Sequence, residues 1–172
     1  MSGVPKVVLE GSDYERGVTH GEAFSGEIRE NVDLYLQRLA RNGAPEEVVR
    51  ERVPTFIDII EDESLEIYDG MRGIADGADV AFEDVAILNT RSELMYSAFA
   101  EDIQREADED DLVPETDGCT SFGLTPEATS DGHTYIGQNW DWIPELEHNI
   151  FLMDIRREDK PNMLAVTEAG IV

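Results

Sequence analysis

The spacing of apolar residues changes once along this chain, and that change restricts the fold more than any other feature. Up to about residue 96 the apolar residues recur at helical spacing. Beyond an acidic interruption they alternate with a period of two. A chain patterned this way is α+β, with a helical N-terminal part followed by an antiparallel sheet.

The helical part opens with a short apolar run, 4–10, that predicts a first strand. Ser12 and Asp13 then offer an N-cap, with Glu15 placed to complete a capping box. Val18, Phe24, Ile28, Val32, Tyr35, Leu36 and Leu39 predict one long helix, and Asn42-Gly43 supplies its stop. Pro45 restarts a helix carrying Val48, Val49 and Val53 and, past Pro54, Phe56, Ile57 and Ile60. A third helix is predicted over 64–78 on Leu65, Ile67, Tyr68, Met71 and Ile74. Gly70, Gly73 and Gly77 either weaken that helix or mark close packing against a neighbour. A fourth helix is predicted over 83–96.

Nine of the seventeen residues in 101–117 are acidic and Pro114 punctuates them, which predicts an exposed loop or linker. The period-two runs follow at 119–125, 134–141, 149–156 and 162–167, separated by turn signals that include Asp131-Gly132 and Asp159-Lys160-Pro161. They predict a β-meander whose first strand begins at Cys119. Glu168-Ala169-Gly170 reads as a turn and Ile171-Val172 as the opening of another strand. Stopping there leaves a sheet edge without a partner, so the expectation is either pairing with another chain or a fragment of a longer protein. The division expected is a mainly helical segment 1–118 ending in the acidic loop, then a β-rich part 119–172.

The chain has 172 residues, with 13 Lys+Arg against 39 Asp+Glu and a net charge of −26. That length can bury a real core, and 41% hydrophobic residues suffice to fold it. The charge repels phosphates and anionic lipid surfaces, which argues against nucleic-acid and membrane partners. No apolar run approaches the ~20 residues needed to span a bilayer. The N-terminus shows no basic and then apolar signal pattern. Acids are spread through almost every segment and lysine occurs only at Lys6 and Lys160, which reads as adaptation to a salt-filled cytoplasm. An acidic calcium site at Asp108, Glu109, Asp110 and Asp111 lacks the glycine and distal glutamate of an EF-hand loop. The single cysteine, Cys119, excludes an internal disulfide and any multi-cysteine metal site.

Cys119 is the candidate nucleophile, although a lone cysteine also serves as a small buried hydrophobe. It follows Gly118, which leaves the preceding carbonyl open to approach, and it sits where an exposed acidic loop meets a strand. The strands beyond it lead to Gly137-Gln138-Asn139-Trp140-Asp141-Trp142, where amides and a carboxylate are interleaved with aromatics. A Cys-His hydrolase would pair Cys119 with His133 or His148, or with His20. A different class is a non-enzymatic domain that binds a partner through its unpaired edge.

Asp117-Gly118-Cys119-Thr120-Ser121, followed by Asp131-Gly132 and Gly137-Gln138-Asn139-Trp140-Asp141, resembles the acyl-CoA:6-aminopenicillanic acid acyltransferase family. These are N-terminal-nucleophile hydrolases, also classed as C45 cysteine peptidases. The segment 11–21 (GSDYERGVTHG) is similar to the family's opening helix motif, and 73–78 and 88–93 are similar to later helical motifs. The resemblance implies an αββα sandwich, here incomplete, and self-cleavage between Gly118 and Cys119. It implies acyl transfer through Cys119 from a thioester or amide to an amine or water, with no cofactor. Asp141 matches the family aspartate implicated in processing and in orienting the nucleophile. Gln138, Asn139 and Thr120 take supporting roles, while Arg91 and Glu93 are expected to hold the helical segment together as a pair. Family members are considerably longer, and the asparagine that stabilises their oxyanion has no match here.

Overall fold

A computed structural model describes residues 3–96, 118–158 and 160–172. The chain divides into two compact units, Met1–Ala107 with His148–Val172, and Asp108–Glu147.

In the first unit β1 (Lys6–Leu9) leads into α1 (Asp13–Ala23), α2 (Ser25–Arg41), α3 (Glu46–Glu63), α4 (Leu65–Ala78) and α5 (Phe82–Asn89). Ser12 and Glu15 form the expected capping box at the start of α1. The single helix expected from Val18 to Leu39 is broken at Phe24, whose backbone lies outside the helical region at φ −132° and ψ 30°. The break turns the Phe24 ring onto Phe151, with ring centroids 4.2 Å apart. Gly26, a weak helix former, lies two residues further on. The helix expected over 83–96 is interrupted by a turn at Thr90, after which 91–96 is again helical. None of the described helices is long and apolar enough to cross a membrane.

The α1–α4 contact is the closest in the unit, and its glycines explain why. A Cβ on Gly17 would lie 2.2 Å from the Gly70 carbonyl oxygen, and one on Gly73 would lie 2.1 Å from that of Tyr14. Glycines on α4 therefore mark close packing rather than a weak helix. Beneath this pair lie Ile28, Val49, Val53, Met71, Ile74, Ile87 and Leu88, all fully buried.

The expected meander is instead two sheets. In the first unit, β4 (Ile150–Ile155) and β5 (Met163–Glu168) form an antiparallel pair, and β1 joins β4 in parallel. The helices between them give β1 the long connection that a parallel pairing requires. In the second unit, β2 (Cys119–Leu124) and β3 (Tyr135–Trp140) form a separate two-stranded ribbon. After Trp140 the chain enters a short 3₁₀ turn, Pro144–Leu146, where a proline without an N–H cannot continue a ladder. Ile171-Val172 is not a strand. Gly170, at φ +94°, turns the chain, and the Val172 amide donates to Asn89 Oδ1 at 3.0 Å.

Candidate functional site

The β2–β3 register gathers the candidate residues at one end of the ribbon. Cys119 heads β2 directly opposite Trp140, Thr120 faces Asn139, and Ser121 faces Gln138. Asp141 follows Trp140 at the same end. Directly opposed residues share a face, so Cys119, Trp140, Ser121 and Gln138 lie on one face and Thr120 and Asn139 on the other. Gln138 is then a diagonal neighbour of Cys119, roughly 7–8 Å away.

Cys119 is exposed, and a Cβ built on Gly118 would meet no atom within 4 Å. The Gly118–Cys119 peptide is thus open to approach. The Trp140 and Trp142 rings stack with centroids 6.3 Å apart, bracketing Asp141 in sequence.

The opposite end of the ribbon is a polar turn. Asp131 accepts from the His133 amide at 3.2 Å and from the Tyr135 hydroxyl at 2.5 Å. These bonds hold the Asp131 carboxyl below its usual range, that of Tyr135 coming first, and the same contact raises the Tyr135 phenol. The pair Leu124–Tyr135 stands five residues along the ribbon from Cys119–Trp140, about 17 Å at ~3.4 Å per residue. His133 therefore belongs to the end of the ribbon remote from Cys119, and His148 belongs to the first unit.

Arg91 and Glu93 do not form the expected pair. Glu93 is exposed, and the carboxylate that Arg91 meets is Glu168, at 3.4 Å. Arg91 also donates to the Leu88 carbonyl at 2.8 Å and lies over the Tyr35 ring. Glu168 is 1% exposed, and its other oxygen accepts from the Tyr35 hydroxyl at 2.7 Å.

This contact is one of several that converge on 168–170. Asn31 donates to the Ala169 carbonyl at 2.8 Å and accepts from Asn149 at 2.7 Å. Asn89 donates to the Gly170 carbonyl at 2.8 Å, and the Gly170 amide donates to His20 Nε2 at 3.0 Å. Burial pushes the His20 imidazole down to about 4, so it stays a neutral acceptor. Sequence reasoning offered His20 only as a partner for Cys119, read Tyr35 as an apolar helix position and Glu168 as part of a turn, and did not name Asn31. The usable signal was Asn31, a polar residue on the face of α2 that carries Ile28, Val32, Tyr35 and Leu39.

Among the described residues no group of three or more His, Cys, Asp or Glu side chains could hold a metal ion. The acidic run 108–111 lies outside the described residues.

Fold and site together define an α+β chain with an exposed cysteine leading a strand and an aspartate at the same ribbon end. No family model matches it. It is similar to the acyl-coenzyme A:6-aminopenicillanic-acid-acyltransferase 40 kDa form of Emericella nidulans, at 28% identity over 96% of this chain and 42% of that protein. It is also similar, at 28% identity over 95% of this chain and 29% of the relative, to an uncharacterized protein of Archaeoglobus fulgidus. The chain therefore spans less than half the length of these curated relatives.

Proposed function

We propose that this chain carries the nucleophile-bearing part of a cysteine-dependent N-terminal-nucleophile acyltransferase or amidohydrolase. The observation that supports it most is the ribbon register, with exposed Cys119 opposite Trp140 and Asp141 next along the chain. The likeness to an acyltransferase over nearly the whole chain supports the same reading.

In this reading the Cys119 thiolate attacks the Gly118 carbonyl carbon. The C–N bond breaks as the acyl group passes to sulfur, and the amide nitrogen takes up a proton. Water then hydrolyses the thioester, leaving a carboxylate on Gly118 and a free α-amine on Cys119. That amine, with an ordinary pKa of about 7.7–8.0, is placed to act as general base for its own thiol. A second cycle moves an acyl group from a small thioester or amide onto Sγ and from there to an amine or water. Asp141 orients the nucleophile, with Gln138, Asn139 and Thr120 in support and Arg91 bracing the helical part. Division into 1–118 and 119–172 then follows from the cut. The setting is a salt-rich cytoplasm.

Intact mass of the purified protein, wild type beside Cys119→Ala, tests the self-cleavage. The expected result is fragments of 118 and 54 residues in wild type alone. A single uncut species in wild type would sink the self-cleavage reading for this chain. Equal cutting in both proteins would remove Cys119 as its agent.

A further inference from the structure

Asparagine before glycine is the pair in a polypeptide most easily lost to cyclisation, because glycine puts no side chain in the way of its own nitrogen. Of the six asparagines in this chain only Asn42 precedes a glycine. The pair forms the C-terminal cap of α2, and that cap engages both groups the reaction needs.

The Gly43 amide donates to the Ala40 carbonyl at 3.3 Å, and the Ala44 amide donates to the Leu39 carbonyl at 2.9 Å. These two bonds, with Gly43 at φ +87°, make a Schellman motif. Leu39 and Ala44, which the second bond joins, are both buried. The Asn42 carboxamide donates through Nδ2 to the Arg38 carbonyl at 2.9 Å. That carbonyl lies one turn back along the helix, so the bond draws Cγ away from the Gly43 nitrogen, which lies ahead. Nucleophile and electrophile are each held in a bond that ends the helix, and they are held apart.

Cyclisation needs both bonds broken. The Gly43 nitrogen, its proton given to solvent, bonds to Asn42 Cγ as the Cγ–Nδ2 bond breaks and ammonia leaves. Water then opens the resulting five-membered imide at either carbonyl, giving aspartate or isoaspartate. Neither product rebuilds the cap. The acid has no N–H for the Arg38 carbonyl, and its charge meets the negative end of α2. In isoaspartate the main chain runs through Cβ, and the added methylene spoils the Schellman spacing.

We propose that Asn42-Gly43 is a fold-gated modification site: the closed α2 cap holds off imide formation, and opening of the cap exposes Asn42 to irreversible conversion. Each of the two bonds is a factor of roughly five in the opening equilibrium, so the folded chain converts roughly 25-fold more slowly than the unfolded one. Because α2 also carries Asn31 and Tyr35 to the 168–170 segment, the modification records loosening of a helix on which the core closes. The inference concerns α2 and stands apart from the Cys119 reading.

Peptide mapping by mass spectrometry tests it, after incubation of the full chain at mildly alkaline pH. One sample is folded and one is held unfolded in urea, with pH, salt and temperature matched. The readout is the mass gained when the amide of Asn42 becomes an acid; isomerisation at an Asp-Gly pair adds no mass. The expected result is conversion at Asn42 in urea and roughly 25-fold slower conversion in the folded chain. Folded conversion within threefold of the unfolded rate would overturn the gate, and no conversion in urea would remove the site. Ala44→Gly keeps the Asn-Gly pair and takes one buried methyl from the cap. With circular dichroism showing it folded, this variant is expected to convert roughly fourfold faster than wild type when folded and at the same rate in urea. Equal rates for the two folded proteins would overturn the assignment of the gate to the cap.

Discussion

Replacing Gly73 by alanine tests the packing on which the first unit rests. Gly73 faces α1 from the middle of α4, and an added Cβ would lie 2.1 Å from the Tyr14 carbonyl oxygen, 2.9 Å from the Val18 nitrogen and 3.0 Å from the Gly17 Cα. All three are backbone atoms, so no side chain can rotate away. Relief requires the two helices to separate by about an ångström along a contact that also includes Gly17, Gly21 and Gly77. Overpacking of this kind costs ~1–3 kcal/mol where side chains can adjust, and here the upper end applies because they cannot. The gain in helix propensity returns only about 1 kcal/mol. Gly26 supplies the control. It lies in α2 with nothing within 4 Å of a Cβ, so Gly26→Ala stabilises by a few tenths to ~1 kcal/mol through propensity alone. Urea unfolding followed by helical circular dichroism, at fixed salt, is expected to show Gly73→Ala destabilised by about 2 kcal/mol and Gly26→Ala unchanged or improved. At about 2–4 °C per kcal/mol for a chain of this size, the melting temperatures move apart by several degrees. If Gly73→Ala proves as stable as wild type, the close α1–α4 approach is wrong.

Three further perturbations address the buried polar set. His20, pushed down to about 4 by burial, stays neutral in the folded protein while an unfolded chain binds a proton near pH 6.5. Its contribution is therefore intact above about pH 6.5 and is lost as pH falls toward 4, up to about 3 kcal/mol in all; His20→Gln should flatten the stability profile in that window, and an unchanged slope would contradict a buried neutral imidazole. Asn31→Ala removes the partner of both the Ala169 carbonyl and the Asn149 amide, so chemical denaturation should report a loss of about 3 kcal/mol, and a loss under 1 would mean that those groups are not buried. Glu168→Gln strips the charge that Arg91 meets in a nearly buried setting, with an expected cost of about 2 kcal/mol, and equal stability in thermal melts would show that the pair is solvated.

The elements were readable in the sequence because each carries its own local signal. The α1 capping box needs only Ser12 and Glu15, three residues apart, and the strand runs alternate within six residues. Pairing was not readable, because it depends on residues far apart in the chain. Nothing in Lys6–Leu9 states that it will lie parallel to Ile150–Ile155, and no local signal records that β2 and β3 pair apart from the sheet of β1, β4 and β5. The gathering of Cys119, Thr120, Gln138, Asn139 and Asp141 followed from two strands joined by a turn, so the sequence already held it. Arg91 misled for the opposite reason. Glu93, its neighbour in sequence, points elsewhere, and its carboxylate partner arrives from 77 residues away.

The buried polar contacts also explain how so acidic a chain keeps an ordered interior. Charges of one sign brought inside would add desolvation to a self-repulsion that is already large. The groups around 168–170 are instead three amide side chains, a hydroxyl, an imidazole held neutral and one carboxylate set against a guanidinium. Acidity is thus kept on the surface, where a Debye length of about 3 Å at molar salt suppresses repulsion. The interior contacts lie within water-excluded packing and do not depend on that screening. Each helix-borne group reaches 168–170 across 81 to 138 residues of chain, apart from His20 at 150 and Arg91 at 77. The segment contacts α1, α2 and α5 at once, so double-mutant cycles among these groups are expected to show coupling rather than additivity. Salt and pH therefore act on different parts of this molecule: salt on the acidic surface, and protons, through His20, on the contact that closes the core.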